Sequence, residues 1–166
     1  MTTGIRTKDA FDTESQWSPN GKRLAFTRVK NNNQAAVFVV NIDGTGLRRL
    51  TPWNLDAASP DWSPDRRQIL FNSYFDPHRG KFSNIYAIRP DGSHRTLLTH
   101  TRRGIQSFRP SWSPDGTRIV FCRFTPLGQM RGRVDLYTMN RNGTAVQRVT
   151  NMPQAFPFAP DWGTAP

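Results

Sequence analysis

Short apolar runs separated by turn residues recur along this chain as one repeated unit. Each unit has a tryptophan and, nine residues after it, the phenylalanine that closes an apolar triplet. The triplets are Leu24-Ala25-Phe26, Ile69-Leu70-Phe71 and Ile119-Val120-Phe121. No segment sustains the period of about 3.6 residues that marks an amphipathic helix, so the runs predict short β-strands.

Each unit divides into four predicted strands, which we name A to D. Strand A ends at the tryptophan, and the Ser-Pro-Asp-Gly that follows is a turn, because proline sets φ and glycine accepts a positive φ. Strand B carries the apolar triplet. Strand C, at 37–40, 84–88 and 134–139, runs into an Asp-Gly or Asn-Gly pair that favours a tight hairpin. Strand D, at 47–51, 96–99 and 146–150, ends at a threonine.

The period of the repeat predicts the architecture. The tryptophans are separated by 45, 50 and 50 residues, which is the range of propeller blades. We therefore predict an all-β fold, a partial β-propeller of about three four-stranded blades over 14–51, 59–99 and 109–150, with an extra C-terminal strand over 156–162, in a single domain over 1–166. The repeat's structural residues are Trp17, Trp62, Trp112, Trp162, Pro19, Pro64, Pro114, Gly44, Gly92 and Gly143.

The interval between strands B and C varies most in length from one unit to the next. Insertions collect in exposed loops, because a buried loop would leave backbone polar groups without partners. We therefore predict that 28–36, 72–83 and 122–133 are variable surface loops.

The repeated elements keep a fixed order: Pro-x-Trp-Ser-Pro-Asp-Gly, Arg-Ile-Val-Phe, an Ile-Tyr or Leu-Tyr strand, Asp-Gly and Arg-Arg-Leu-Thr. This order resembles the WD-like β-propeller repeat of the TolB family over roughly residues 14 to 162. The chain departs from the pattern where Asn20 replaces Asp, where Arg66 replaces Gly, and where Trp17 lacks the proline two residues before it. These departures bear on turn geometry and leave the predicted fold unchanged.

The resemblance also carries functional expectations. In the TolB family the propeller belongs to the Tol-Pal system of the cell envelope and docks a peptidoglycan-associated lipoprotein. This implies a non-catalytic protein-binding module in the periplasm or cell envelope. The repeat is similar, too, to the propeller that precedes the catalytic domain of prolyl-oligopeptidase-like peptidases, and propeller lyases share the repeat class. The alternatives are therefore a propeller enzyme, either a carbohydrate lyase or a detached peptidase propeller, and a structural repeat fragment without a ligand.

The number of blades is small for a closed propeller. Propellers close with about four to eight blades, and this sequence has three complete units and the start of a fourth. Three blades would leave two apolar sheet faces uncovered. We expect a truncated or partial propeller; the alternative is a homodimer, in which two halves complete a six-bladed propeller.

The net charge of +11 is unevenly distributed along the repeat. In a propeller the B–C loops and the D–A connections emerge on one rim, and those segments hold ten basic residues against Asp56 and Asp76. We predict that these basic residues form a binding rim: Arg28, Lys30, Arg79, Lys81, Arg102, Arg103, Arg109, Arg123, Arg131 and Arg133.

A rim of one sign attracts anionic partners and speeds their association, an effect that salt screens. The expected partner is an acidic protein or an anionic polysaccharide. Nucleic acid is disfavoured, because single-strand readers interleave basic residues with exposed aromatic residues, and most aromatic residues here fall on strand positions.

The sequence offers few parts of an active site. It has no Gly-x-Ser-x-Gly elbow, P-loop, His-Glu-x-x-His motif or paired cysteines, so we expect no enzyme, cofactor or metal site. Cys122 is expected to be a small buried residue, and His78, His94 and His100 are scattered. We recognise neither a signal peptide nor an apolar stretch of the roughly 18 residues needed to cross a bilayer.

Overall fold

The computed structural model of the chain describes residues 10–74, 83–102, 104–128, 132–151 and 159–162. Within these ranges every element is a β-strand except one short turn of 3-10 helix, Trp53–Leu55. The strands are β1 (Ala10–Trp17), β2 (Arg23–Lys30), β3 (Ala35–Asn41), β4 (Arg48–Arg49), β5 (Ala57–Trp62), β6 (Ile69–Ser73), β7 (Asn84–Ile88), β8 (Thr96–Leu97), β9 (Gln106–Trp112), β10 (Arg118–Pro126), β11 (Gly132–Asn140) and β12 (Gln147–Arg148).

The strands form three antiparallel sheets of four strands each, β1 to β4, β5 to β8 and β9 to β12, with neighbours in chain order. We call them blades 1, 2 and 3. The predicted all-β fold and partial propeller are confirmed. In the described part of the chain, no helix has the length and apolar character required to span a membrane.

The blades pack face to face because alternate residues of each middle strand point to opposite neighbours. Ile69 and Phe71 of β6 pack with Val37 of blade 1, and Leu70 packs with Ile119 of blade 3. Full burial of one such side chain stabilises the fold by roughly 1.5–3 kcal/mol. Two apolar cores, one between each pair of adjacent blades, therefore hold the described chain together.

The repeated tryptophans mark which blade faces are covered. Trp62 and Trp112, which pack into the cores that join their own blade to the preceding one, are 6% and 4% exposed. Trp17, at the same position of blade 1, is 55% exposed, and Phe11 of the same strand is 60% exposed. The face of blade 1 that points away from blade 2 thus exposes the repeated tryptophan that blades 2 and 3 bury.

The Ser-Pro-Asp-Gly turn keeps its geometry where the sequence departs from the pattern. Asn20 accepts the hydroxyl of Ser18 at 2.9 Å through Oδ1, as Asp65 accepts that of Ser63 at 2.6 Å. Arg66 has a φ of 63°, close to the 68° of Gly116. Asn20 and Arg66 therefore adopt the same turn as the Asp and Gly that they replace. Only Arg66 does so at a conformational cost, because a positive φ is unfavourable for a residue with a Cβ.

The closing threonine of each unit supports strand C from the side. Thr51, Thr99 and Thr150 each accept, through Oγ1, a backbone N–H of strand C at 2.9 Å, and the donors are Val37, Ile85 and Leu136. Strand D itself is only two residues long in every blade. The threonine hydroxyl therefore replaces ladder bonds that this short outer strand does not supply.

Two of the predicted loops are shorter than expected. β2 continues to Lys30 and β3 begins at Ala35, while β10 continues to Pro126 and β11 begins at Gly132. The prediction of loops over 28–36 and 122–133 was therefore wrong at their ends. Cross-strand pairing extends each hairpin, with Arg28 opposite Ala36 and Phe124 opposite Val134. Of the third segment, 72–83, residues 72 and 73 belong to β6 and 75–82 lie outside the described residues.

Each strand A contains a β-bulge three residues before its tryptophan. Glu14, Ser59 and Arg109 have φ values of 51°, 55° and 52°, and the pairing register of each strand with strand B shifts there. Ala159, three residues before Trp162, has a φ of 53°. Residues 159–162, which we predicted to be strand, have no strand pairing, but they share this backbone feature with strand A; residues 156–158 lie outside the described part.

Candidate binding rim

We call the end of the blades that carries the B–C hairpins and the D–A connections the B–C rim. Of the ten basic residues predicted there, six are described, and Arg79, Lys81, Arg103 and Arg131 lie outside the described residues. The six are Arg28, Lys30, Arg102, Arg109, Arg123 and Arg133. Only Arg102 lies in a connection, because Arg28, Lys30, Arg109, Arg123 and Arg133 lie on strands. The prediction that all of them are loop residues is thereby corrected.

On blade 1, two of the cations already have intramolecular partners. Arg28 binds Asp12 through two hydrogen bonds of 2.6 and 2.8 Å, and its guanidinium lies 4.9 Å from the ring centre of Phe38. The bond to Asp12 raises the pKa of Arg28. Lys30 Nζ lies 4.1 Å from the ring centre of Trp53, a cation–π contact. Arg28 therefore contributes less free charge to the rim than the sequence suggests, whereas Lys30 keeps its full charge.

Arg109 lies at the bulge of β9, next to the inner edges of the blades. Its Nη2 is 3.9 Å from Oε1 of Glu14. The other oxygen of Glu14 accepts the backbone N–H of Ser59 at 2.9 Å and the hydroxyl of Thr27 at 3.2 Å. One carboxylate thus connects the innermost strands of all three blades.

A pocket of about 320 Å³ opens beside these inner strands. Its lining includes the carboxylates of Glu14, Asp61 and Asp161 together with Arg109. Burial raises the pKa of Asp61 to about 6, although the backbone N–H of Trp112 donates to it at 2.7 Å. The middle of the molecule is therefore acidic, which the sequence did not indicate.

The third blade brings several guanidinium groups together. Arg133 Nε lies 3.0 Å from Oδ2 of Asp135, an ion pair without good hydrogen-bond alignment, and Arg148 donates from Nη2 to Oδ1 of the same carboxylate at 3.2 Å. Asp135 is fully buried. Arg123 lies opposite Asp135 in the β10–β11 pairing, with its guanidinium 4.6 Å from the ring centre of Tyr137. We call Arg123, Arg133 and Arg148 the arginine cluster.

Arg102 is exposed and lies at the same end of the molecule as the blade 3 hairpin. Its carbonyl oxygen accepts the N–H of Ile105 at 3.0 Å, which closes a turn at Gly104. An added Cβ at Gly104 would lie 3.2 Å from Cγ of Pro126, so this turn touches the end of β10. The structure thus brings the Arg102 turn close to blade 3, whereas Arg28 and Lys30 belong to blade 1.

Sequence reasoning missed the strand residues that pair with the predicted cations. Glu14, Asp135 and Arg148 fell within the predicted blades but outside the predicted rim segments, and Asp12 preceded the first predicted blade. Register was the available signal, since Arg28 pairs with Asp12 and Arg123 with Asp135 across adjacent strands. Directly opposite residues on one face lie within reach of each other.

Cationic side chains also occur at the opposite end, where the A–B and C–D turns lie. Lys22, Arg67 and Arg95 are exposed there, and Arg141 pairs with Asp65 at 2.8 Å. The positive charge is therefore not confined to the B–C rim. What distinguishes the B–C rim is the arginine cluster of blade 3.

The described residues contain no group of three or more His, Cys, Asp or Glu side chains that could hold a metal ion. Cys122 is buried, and burial raises the pKa of its thiol to about 11. Its sulfur accepts the backbone N–H of Ala159. In the described structure the thiol is therefore a buried group that packs in the core and also binds the backbone at Ala159.

Comparison with known proteins gives the family. A family model described as the TolB beta propeller domain matches residues 5–125. The Tol-Pal system protein TolB of Anaeromyxobacter sp. strain K is 34% identical over 124 residues, which are 74% of this chain and 25% of that protein. Dipeptidyl-peptidase 5 of Porphyromonas endodontalis is 30% identical over 109 residues, which are 63% of this chain and 15% of that protein.

Solved structures agree on the fold. A TolB-like structure from Agrobacterium tumefaciens has a TM-score of 0.72 and 27% identity, over 86% of this chain and 50% of that one. The chain thus spans a quarter or less of these two relatives and half of this solved structure. Because the family model covers well over half of its residues, this chain belongs to the TolB β-propeller family.

Proposed function

We propose that this chain is a non-catalytic propeller module whose B–C rim binds an acidic protein, with an anionic component of the cell envelope as the related possibility. The observation that carries the proposal is the arginine cluster of blade 3, where Arg133 and Arg148 share the single carboxylate of Asp135 and Arg123 lies opposite it on the neighbouring strand. Arg102 adds a further exposed cation close to that blade. An excess of positive charge at one place favours an anionic partner.

The names of relatives support a binding role. Several relatives are Tol-Pal system proteins TolB, and on that basis we propose that this module works by protein–protein interaction in the periplasm or cell envelope. We infer the acidic character of the partner from the positive charge of the rim, and not from the names of the relatives.

The test is binding of a fluorescein-labelled polyglutamate peptide, followed by fluorescence anisotropy. We expect affinity to fall steeply between about 20 mM and about 300 mM NaCl, because rim charges are screened beyond a Debye length of roughly 10 Å. The triple variant Arg102→Glu, Arg103→Glu and Arg131→Glu should weaken binding by about tenfold or more. It spares Arg133, whose pairing with buried Asp135 also stabilises the fold.

The matched control reverses the same number of charges on the opposite end, with Lys22→Glu, Arg67→Glu and Arg95→Glu. All three residues are exposed, and this variant should bind like the parent chain apart from a small long-range effect. Equal loss of affinity in both variants would mean that net charge alone drives binding. An affinity that ignores both salt and charge reversal would exclude the rim as a binding surface.

A second candidate function is the propeller of a peptidase, and the similarity to Dipeptidyl-peptidase 5 favours it. Under this second proposal, we assign the substrate to the acidic pocket among the inner strands, which is lined by Glu14, Asp61 and Asp161. An antibody raised against this chain would test the idea by immunoprecipitation from the source organism. Recovery of a much longer protein that hydrolyses a peptide p-nitroanilide would support the peptidase, and recovery of a protein without that activity would support the binding module.

A further inference from the structure

We infer that the arginine cluster of blade 3 is an oxyanion-binding subsite, which takes one side-chain carboxylate of the acidic partner. The inference rests on the proposed function and assigns it a contact point. Phosphate offers the same oxyanion chemistry and is therefore tested separately below.

The three arginines approach one another because of strand register. Arg123 of β10 is opposite Asp135 of β11, and Arg148 of β12 is opposite Tyr137. Arg133 precedes Asp135 by two residues, so both side chains leave the same face of the strand. Three strands of one blade thus direct their cations to one region.

Asp135 fixes the positions of two guanidinium groups. It holds Arg133 by one oxygen and Arg148 by the other, while Arg148 also donates from Nε to the carbonyl oxygen of Thr150 at 2.6 Å and from Nη2 to Asn151. A buried carboxylate needs such compensation. Because one carboxylate is shared between two arginines, it does not neutralise both.

Arg123 is the third cation of the cluster. Its Nε donates to the hydroxyl of Ser107 at 3.2 Å, and its guanidinium lies over the rings of Tyr137 and Phe121, at 4.6 and 5.2 Å from their centres. Burial lowers its pKa. Among the described residues, no carboxylate lies within ion-pair distance of Arg123. A partly desolvated guanidinium of this kind gains from an added oxyanion.

The cluster is accessible to a ligand group. The side chains of Arg133 and Arg148 are each 27% exposed, although Asp135 between them is fully buried. Within the described structure, the Nη atoms of Arg133 and Arg123 have no hydrogen-bond acceptor. These planar donors match the two oxygens of a carboxylate, which guanidinium groups bind in bidentate geometry.

The experiment titrates the 15N-labelled chain with hexaglutamate and, separately, with inorganic phosphate, and follows the arginine Nε–Hε signals by NMR. We expect hexaglutamate to shift the signals of Arg123, Arg133 and Arg148. The variant Arg123→Gln, Arg133→Gln should lower hexaglutamate affinity roughly tenfold or more, since each charge-assisted bond contributes strongly. The matched control Arg67→Gln, Arg95→Gln should leave affinity unchanged.

The outcomes separate the two proposals. Binding of hexaglutamate that shifts other signals and is insensitive to Arg123→Gln, Arg133→Gln overturns the subsite and leaves the proposed function standing. Binding of phosphate without hexaglutamate overturns the assignment to a protein carboxylate. Binding of neither ligand overturns both proposals.

Folding of the variants is controlled independently. If Arg133→Gln unfolds the chain, Arg123→Lys, which keeps the charge and removes the planar fork, takes its place and should still weaken hexaglutamate binding. The signal shifts of the unaltered chain need no variant, so their absence at the cluster contradicts the subsite in either case.

Discussion

Asn72 of blade 2 accepts, through Oδ1, the backbone N–H of Arg109 in blade 3 at a distance of 3.1 Å. Arg109 lies at the bulge of β9, where the sheet ladder is interrupted. In the same way, Thr27 accepts the backbone N–H of Ser59 through Oγ1 at 3.2 Å, and Cys122 accepts the backbone N–H of Ala159 through its sulfur. In every unit, the residue after the triplet phenylalanine therefore accepts a backbone N–H from the positive-φ residue three positions before the next repeated tryptophan.

The link predicts a stability cost at Asn72. Asn72→Leu keeps the branched shape of this fully buried side chain but leaves the Arg109 N–H without this acceptor, so we expect a loss of about 2 kcal/mol in the free energy of unfolding. Urea denaturation followed by tryptophan fluorescence measures it. Asn54→Ala, at an exposed position, is the control and should change stability by less than about 0.5 kcal/mol.

The raised pKa of Asp61 predicts that the free energy of unfolding falls as the pH rises. Burial raises its folded-state pKa to about 6, above the value of roughly 3.9 for an unfolded aspartate. Between these two values the folded chain binds more protons than the unfolded chain, so the stabilising contribution is complete below about pH 4 and is lost by about pH 6.

The measurement compares the parent chain with Asp61→Asn. The amide keeps an acceptor for the N–H of Trp112 and carries no charge, so the variant should lack this fall and should be more stable at neutral pH by about 2 kcal/mol. Unfolding midpoints at acid and neutral pH decide it. An unchanged pH slope in the variant would show that Asp61 is not the titrating group.

Two glycines with the same backbone conformation predict different costs. Gly143 and Gly44 have φ values of 84° and 82°, but an added Cβ at Gly143 would collide with the carbonyl oxygen of Leu98, whereas at Gly44 it would meet open space. Gly44→Ala should cost about 1 kcal/mol through its positive φ. Gly143→Ala should cost at least about 1 kcal/mol more because blade 3 must move away from blade 2. Thermal unfolding of both variants measures the difference, and equal costs would contradict the close approach.

Trp17 lies on an uncovered blade face, whereas Trp112 lies on a covered one, and the two should therefore differ in their contribution to stability. In the chain alone, Trp17→Ala should change stability by less than about 1 kcal/mol, because the side chain is 55% exposed, whereas Trp112→Ala, at 4% exposed, should cost about 3–5 kcal/mol. As an alternative, we propose that two copies of the chain form a homodimer of six blades, in which the blade face that carries Trp17 is covered. Light scattering would then give twice the monomer mass, and Trp17→Ala would lower it to that of one chain.

The sequence predicted the repeat, the strands and the turns because these depend on local chemistry. The spacing from Trp112 to Phe121 and the Asn142-Gly143 pair are properties of a few consecutive residues, and their strands and hairpin appear in the structure where they were expected. The turn after Trp62 forms even with Arg66 in place of glycine, because the neighbouring turn residues favour the same backbone conformation.

The candidate site was less predictable, because its charges depend on which strands lie side by side. Arg28 and Arg123 were assigned to loops, yet each lies on a strand with an aspartate directly opposite. The link from Asn72 to Arg109 joins residues of different blades. The sequence by itself determined that the chain builds four-stranded blades. Only the tertiary structure decided which cations are neutralised and which gather, since ion pairing depends on distances of a few ångströms between strands far apart along the chain.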